Sequence, residues 1–334
     1  MKEKLKVDLT AVSLKQLRVL KAVAAGGSFS KASQLLNVTP PAVTLQMKLL
    51  EQAVTMPLVE RANRKLRLTD AGRQVLEAAH RIEATLGECA EALQSLSGAE
   101  RGGVAVGVIS TAKYFAPRAL AVFTKAHPGI DMRLTIGNRK KTITALENYD
   151  LDLTIMGRPP DSFEVESAVI GDHPHIIIAP PDHPLARDYA LLPRRSADQT
   201  AGRTTGHPTG RSKSLSVLQL ASETFLLRED GSGTRALMQR LFAKQGLDPG
   251  LGLQIGSNET IKQAVMAGLG IALISAHTVA AELSDGRLVA LNVASMPLVR
   301  KWYVVRRRDK RLLPAAQSLW DFLAACGRDF LPRT

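Results

Sequence analysis

The chain has 334 residues, 45% hydrophobic and 22% charged, with a formal net charge of +13. That length exceeds one ordinary domain and suggests two or three; no run of about eighteen apolar residues exists, and the N-terminal MKEKLKVDLT lacks the apolar core of a signal peptide, which argues against a membrane partner. Only Cys89 and Cys326 are present, too few and too distant for a disulfide framework or a zinc site, so a reducing, cytoplasmic setting is expected.

A first helix is expected over residues 14–25. Ser13 and Gln16 stand in the S-x-x-Q relation of a capping box, Leu14, Leu17, Leu20 and Ala24 line one face, and Gly26 and Gly27 end it. A second, short helix over 28–36 has Ser28 as cap and Phe29, Ala32, Leu35 and Leu36 for burial, and Asn37 suits the left-handed residue that turns the chain. The third begins at Thr39, with Pro40 and Pro41 at positions whose missing N–H costs no helical bond. Val43, Met47, Leu50 and Val54 make its apolar stripe, while Pro41, Thr44, Leu45 and Lys48 fall on another face.

Two short helices joined by a tight turn make a helix-turn-helix, whose second helix reads DNA. Residues 58–68 then bunch Arg61, Arg64, Lys65 and Arg67 among few apolar residues, as in a β-wing lying on phosphate. The candidate DNA-binding residues are therefore Ser28, Thr39, Pro40, Pro41, Thr44, Lys48, Arg61, Arg64, Lys65 and Arg67, with double-stranded DNA as partner. This local cluster is a better argument than the net charge. Residues 1–100 hold 14 Lys and Arg against 10 Asp and Glu, and much of the remaining excess lies in residues 194–213 and 300–311.

From Thr69 and Asp70 a long helix runs to about Leu96. Val75, Ala79, Ile82, Leu86, Cys89, Leu93 and Leu96 alternate steps of four and three, a heptad seam narrow enough to want a second helix, so a dimer follows. SLSGAERGG, residues 95–103, reads as a hinge.

Beyond it strands and helices alternate: GVAVGVIS, TAKYFAPRALAVFTKAHP, DMRLTIGN, RKKTITALENYD and LDLTIMG, then a second series from HIIIAPP to IALIS. This predicts two similar α/β units with parallel sheets. Residues 190–216, almost without apolar residues after Leu192 and rich in Gly, Thr, Ser and Arg, are expected to be a flexible insertion. The domains are thus 11–68, 69–97 and 98–334, the last with lobe I at about 103–171 and 277–334 and lobe II at about 172–276.

Ligands of open α/β sheets collect beyond the carboxyl ends of strands. Ser110 and Thr111, Asn138 and Arg139, and Gly157 and Arg158 follow the first three strands. Thr234 and Arg235 with Asn258, Glu259 and Thr260 would supply the opposite wall. Helix N-termini, hydroxyls and guanidinium groups together favour an anion. Lys262 is read as solvated. Asp172, His173, His175, Asp182 and His183 cluster in sequence, but His173 and His175 lack the i, i+4 geometry of a metal pair, so no metal is assigned. There is no P-loop and no G-x-S-x-G elbow, and Ser232 has no visible base partner; no catalytic residue and no cofactor is expected.

LKQLRVLKAVAAGGSFSKASQLLNVTPPAVTLQMKLLE followed by PLVERANRKLRLTDAG resembles the N-terminal domain of LysR-type transcriptional regulators, and the α/β units resemble that family's periplasmic-binding-protein-like effector domain. STAKYFAPR, GNRKKTI, MGRPP, DHPHIIIAPPDHPL, FLLREDGSGTR, SNETIKQAVMAGLG and RKWYVVRRRDKRL resemble the branch of CbbR regulators of carbon-fixation (RuBisCO, Calvin-cycle) operons. The resemblance implies an α+β multidomain chain: winged helix-turn-helix, linker helix and two-lobed effector domain. It further implies a homotetramer built as a dimer of dimers, promoter bending, RNA polymerase as a partner, and an effector such as ribulose bisphosphate, phosphoenolpyruvate or NADPH. Regulation of another operon by a non-phosphorylated anion is the alternative, and an α/β enzyme the remote one. Three departures stand out: Pro40 where the family commonly has Gln, Val59 where it has Phe, and the 190–216 insertion.

Overall fold

The first helix, α1 (Leu14–Gly26), opens on the reciprocal cap: the Gln16 N–H donates to Ser13 Oγ at 3.3 Å, and the Ser13 N–H donates to Gln16 Oε1 at 2.8 Å. This computed structural model describes residues 9–62, 65–96, 102–191, 214–247 and 252–333. The chain divides into two compact units, Met1–Ala99 and Glu100–Thr334.

In the first unit α2 (Phe29–Leu36) ends at Asn37 in the left-handed region, and α3 (Pro40–Val54) follows. Thr39 holds the N-cap position of α3 without a side-chain cap bond. Leu17, Leu20, Val23, Ala32, Val43, Met47, Leu50 and Val54 share one core with Leu58 and Ala79. Three expected core residues are outside it, Ala24 among them at intermediate exposure. Leu35 is 62% exposed and Leu14 39%, because the buried face of α2 centres on Ala32 and Ser33 and that of α1 on Gln16, Leu17, Val19, Leu20 and Val23.

The wing is an antiparallel ribbon of β1 (Val59–Ala62) and β2 (Lys65–Leu68). It is tied to α3 by Glu51, whose carboxylate accepts the Leu58 and Val59 N–H groups at 2.8 and 3.3 Å. Thr69 donates its hydroxyl to the Pro57 carbonyl at 2.7 Å and accepts the Gly72 N–H at 3.0 Å. A side chain at Gly72 would place its Cβ 2.0 Å from the Leu58 carbonyl oxygen, so glycine permits this close approach of helix and ribbon.

The long helix α4 (Asp70–Leu96) corrects the heptad reading at its start. Ala79 is fully buried in the core of its own unit and Val75 packs against that core, since the first turns of α4 must cover the helix-turn-helix. Arg18 and Lys21 of α1 bond Glu83; burial pushes this carboxyl up, but the two cations outweigh it and hold it below its usual range. Further along, Ile82, Leu86 and Leu93 are 40, 45 and 62% exposed and Cys89 is exposed. The Leu96 side chain lies outside the described residues.

In the second unit β3 (Gly102–Ile109) pairs in parallel with β4 (Ile130–Gly137) and β5 (Leu153–Met156), with α5 (Ala116–Ala126) and α6 (Arg139–Glu147) in the connections. The chain then enters β6 (Val165–Ala179), α7 (Pro184–Tyr189), β7 (Ala190–Leu191), β8 (Leu227–Arg228), α8 (Gly233–Ala243), β9 (Gln254–Ile255), α9 (Asn258–Met266) and β10 (Ala272–Ser275). It closes through α10 (Ala280–Ser284), β11 (Val289–Leu291), β12 (Leu298–Arg307) and α11 (Pro314–Cys326).

The second series is not a copy of the first. Among the described residues one eight-stranded sheet runs β4-β3-β5-β12-β6-β11-β7 with β10 also on β6, and every pair made by β6 is antiparallel. Only the short β8–β9 pair is parallel in the second lobe's named strands. The cause is the length of β6 and β12: each passes from one lobe to the other, and a chain that crosses and returns on neighbouring strands pairs antiparallel.

The lobe boundary also shifts. Val279, Leu288, Ala290, Leu291 and Val293 pack into second-lobe cores, and the first-lobe core regains the chain at Trp302, so the return comes at β12 and not at residue 277. The expected insertion is bounded more tightly than residues 190–216: Ala190 and Leu191 pair with β11 and Leu215 bridges Val293. Residues 192–213 lie outside the described residues.

Candidate DNA interface and effector cleft

On the first unit, Thr39, Pro40, Pro41, Thr44 and Lys48 are all exposed at the head of α3. The Thr44 hydroxyl donates to the Pro40 carbonyl at 3.0 Å, which fixes its rotamer and leaves oxygen lone pairs outward. Ser28 is engaged as the cap of α2, accepting the Lys31 N–H at 3.2 Å. In the wing Glu60 faces Arg67 and Arg61 faces Leu66, so Arg61 and Arg67, both exposed, lie on opposite faces of the ribbon. Arg64 and the Lys65 side chain lie outside the described residues.

The second unit has a cleft between its lobes, lined by Ile109, Ser110, Thr111, Asn138, Arg139, Gly157, Arg158, His173, His175, Arg228, Ser232, Gly233, Thr234 and Arg300. Its free volume is about 30 Å³, room for a water or two and far below the few hundred Å³ of a metabolite site. A more open pocket of about 330 Å³ shares Arg139 and Ser232 with the cleft and adds Lys140 and Arg235.

The electrostatics are those of an anion site. Among the described residues neither Arg139 nor Arg300 has an ion-pair partner, whereas Arg158 pairs with Asp161 at 2.6 Å. Burial and the neighbouring guanidinium groups of Arg300 and Arg158 push Arg139 below its ordinary value. Burial, Arg240 and Arg158 do the same to Arg300. Like charges held together out of water are relieved by a bound anion. Asn138 lines the cleft at the head of α6, whose first N–H groups are already taken: Lys141 donates to the Asn138 side chain at 3.0 Å and Lys140 to the Gly231 carbonyl at 3.2 Å.

Comparison with known proteins fixes the family. Residues 14–73 match the model of the bacterial regulatory helix-turn-helix protein, lysR family, and residues 97–201 and 204–327 match the LysR substrate binding domain. The chain belongs to the LysR family. It is 50% identical over 96% of its length to the HTH-type transcriptional regulator CbbR of Xanthobacter flavus, covering 90% of that protein. With the RuBisCO operon transcriptional regulator of Allochromatium vinosum it shares 41% identity, over 93% of this chain and 95% of that one. Among solved structures, the Synechocystis CcmR regulatory domain in complex with 2-PG is 33% identical, with a TM-score of 0.58, over 67% of this chain and 97% of that one. The LysR regulator CbnR, 19% identical with a TM-score of 0.59 over 93% of this chain and 98% of its own, shares the fold.

LysR-type regulators bind promoter DNA and small-molecule effectors and are oligomeric, and the chain is a regulator rather than an enzyme. No helix of the described residues is long and apolar enough to cross a membrane, and no group of three or more His, Cys, Asp and Glu among them is placed to hold a metal.

Of the residues expected at the effector site, Ser110, Thr111, Asn138, Arg139, Gly157, Arg158 and Thr234 come together in the cleft, and Arg235 lines the adjoining pocket. Asn258, Glu259 and Thr260 do not line it. Asn258, 2% exposed, joins the lobes instead: it accepts a hydrogen bond from Arg228 and donates to the Ser110 carbonyl at 3.3 Å, while Arg228 also donates to Ser110 Oγ at 3.1 Å. Glu259 accepts from the Tyr114 hydroxyl and pairs with Lys113 at 3.5 Å. Burial and this carboxylate push the Tyr114 hydroxyl well above its usual range. Thr260 is exposed.

Lys262, expected to be solvated, is 5% exposed and pairs with Glu282 at 3.0 Å and Glu259 at 2.9 Å. Sequence reading assigns none of Arg228, His173, His175, Ser232, Gly233 and Arg300 to the effector site: it weighs His173 and His175 only as metal ligands and Ser232 only as a nucleophile. The signal that could have found Arg300 and His173 is cross-strand pairing, since they are direct partners in the β6–β12 ladder and so share a face.

Proposed function

We propose that this LysR-type chain controls carbon-fixation (Calvin-cycle, RuBisCO) genes, binding their promoter as a homotetramer and answering to a phosphorylated metabolite. The observation that carries the first part is the nearly full-length similarity to regulators named for RuBisCO operons, at 50 and 41% identity. The second part is supported by Arg139 and Arg300, half-buried in the cleft wall without an ion-pair partner among the described residues, beside Ser110 and Thr111. A solved relative's domain holding 2-PG agrees with it. Ribulose bisphosphate, phosphoenolpyruvate and NADPH are the effectors to try first.

Thr39, Pro41, Thr44 and Lys48 would face the major groove and Arg61 and Arg67 the flanking backbone, with Ile82, Leu86, Cys89 and Leu93 of α4 forming the seam between two copies. The regulator would act in the cytoplasm, with RNA polymerase as its downstream partner.

Because the cleft is nearly closed, effector binding must favour a more open arrangement of the lobes, and a ligand moves such an equilibrium only through its difference in affinity for the two states. Calorimetry of the full chain with the three phosphates and with a neutral sugar tests this. The reading predicts binding of at least one phosphate, loss of that binding in Arg139→Ala/Arg300→Ala, and no response to the sugar. Binding of the sugar alone, or a double variant that binds phosphates normally, contradicts it.

A further inference from the structure

Three imidazoles meet where β6 and β12 cross between the lobes, and two of them are already engaged. His277 Nδ1 accepts the Trp302 indole N–H at 3.1 Å. His175 bonds the backbone of His173, its Nδ1 lying 3.1 Å from that carbonyl, and also the backbone of Leu298. His173 differs. It is 3% exposed and lies flat on Trp302, ring centroids 3.7 Å apart at 17°, with His175 4.2 Å away, yet neither of its ring nitrogens has a hydrogen-bond partner among the described residues.

His173 lines the cleft, opposite its cross-strand partner Arg300. Beside its Nδ1 edge is Gly157, also of the cleft wall, where an added Cβ would lie 2.8 Å from that nitrogen. The glycine keeps this edge of the imidazole uncovered from the β5 side. Burial, with His175, His277 and Arg300 nearby, pushes its pKa well below the ordinary value, so the ring is neutral at physiological pH.

A neutral imidazole carries one N–H donor and one lone-pair acceptor. Leaving such groups unpaired in a closed site is unfavourable. A dianionic phosphate or a carboxylate offers acceptors alone and can satisfy only the N–H. A hydroxyl both donates and accepts, and can pair with either nitrogen whichever tautomer is present. We infer that His173 reads a hydroxyl of the effector, so that the ligand of this cleft is a hydroxylated phosphate, of the sugar-phosphate or sugar-acid-phosphate class, its anionic end held by the arginines. The inference rests on the reading of the cleft as a phosphate site. It deepens that reading by making His173 a specificity-determining residue on the strand pair through which the lobes are connected.

The test is calorimetry of the full chain with two matched pairs of probes: ribulose 1,5-bisphosphate against pentane-1,5-diol bisphosphate, and 3-phosphoglycerate against 3-phosphopropionate. Each pair differs chiefly in hydroxyl or carbonyl oxygens at equal phosphate count. The wild type should favour the oxygenated member of the pair it binds by about tenfold or more. His173→Phe, which keeps an aromatic ring on Trp302, should bring that ratio near one by weakening the hydroxylated probe alone. His173→Gln, which keeps a donor and an acceptor, should restore part of it, and serves as the probe of the idea should the Phe variant fail to fold.

Equal affinity of the wild type for both members, or unchanged discrimination in both variants, overturns the inference; so does an equal weakening of both members, which marks His173 as a packing residue. If no probe binds the wild type, or if Arg139→Ala/Arg300→Ala leaves all affinities unchanged, the phosphate reading itself falls and takes the inference with it.

Discussion

Lys262→Met should destabilise the effector unit strongly, although Lys262 touches no expected ligand. The Lys262 side chain is 6% exposed and its Nζ lies 3.0 Å from a Glu282 oxygen that is itself on a 9% exposed side chain. At that separation and an effective dielectric constant near 20, the gross attraction is about 5–6 kcal/mol. The 2.9 Å contact to Glu259 adds little, under about 1 kcal/mol, because that carboxylate is 48% exposed. Methionine keeps the length of the side chain but strands the Glu282 carboxylate, with only Arg287 at 3.7 Å to compensate. Removing one member of a buried pair costs about 3–5 kcal/mol, and the presence of Arg287 places this case near 3 kcal/mol.

Urea unfolding followed by tryptophan fluorescence isolates the effect, because both tryptophans of the chain, Trp302 and Trp320, are in the second unit. With a slope of roughly 3 kcal/mol/M the midpoint should fall by about 1 M. The double variant Lys262→Met/Glu282→Leu, which removes both charges, should recover to within about 1 kcal/mol of the wild type. A single variant that costs less than about 1 kcal/mol, or a double variant as unstable as the two singles combined, would refute the reasoning.

Leu86→Glu sets a charge in the exposed stripe of α4 and should convert dimers to monomers in sedimentation; dimers that survive it remove this stripe from the assembly. Gly157→Ala places a methyl group against His173 Nδ1 and should weaken effector binding about tenfold, measured by calorimetry, while costing about 1–3 kcal/mol of stability through overpacking; unaltered affinity counts against the site. The buried histidines also make stability pH-dependent. His175 and His277 are pushed down to about 4 by burial, so both stay neutral in the folded chain while the unfolded chain takes up protons below pH 6.5. Their contribution is complete above that pH and is lost as pH falls towards 4. His175 alone should cost about 2 kcal/mol between pH 6.5 and 5, and a urea midpoint that does not move over this interval contradicts the assignment.

Much of the first unit was legible because its signals are local. Ser13 with Gln16, Asn37, and Thr39 before two prolines mark helix ends through backbone chemistry that needs no tertiary context, and the helices begin and end there within two residues. Periodicity served less well where one helix has two jobs: Val75 and Ala79 share the rhythm of Ile82 and Leu86, but the first pair covers the helix-turn-helix core and the second pair is exposed.

In the second unit the first three strands and their helices followed from alternation alone. The antiparallel β6–β12 ladder did not, since pairing between residues more than a hundred positions apart leaves no local trace. That ladder brings Arg300, read as part of a basic run, against His173, weighed in sequence only as a metal ligand. Arg228, in the short β8, escaped for the same reason: its partners Ser110 and Asn258 come from distant elements. Lys262 looked solvated because a charge on an amphipathic helix usually is, and only the fold reveals Glu282 beneath it.

The central claim, a LysR-type regulator of carbon-fixation genes that senses a phosphorylated metabolite, is tested most directly by footprinting the full chain on the DNA upstream of the RuBisCO operon in its own genome. The footprint should be specific, should weaken in Arg61→Ala/Arg67→Ala with a shallower salt dependence, and should shorten or shift when ribulose bisphosphate, phosphoenolpyruvate or NADPH is added. A protected region that is absent from that DNA, or one that none of these phosphates alters while the wild-type protein binds them, would contradict it.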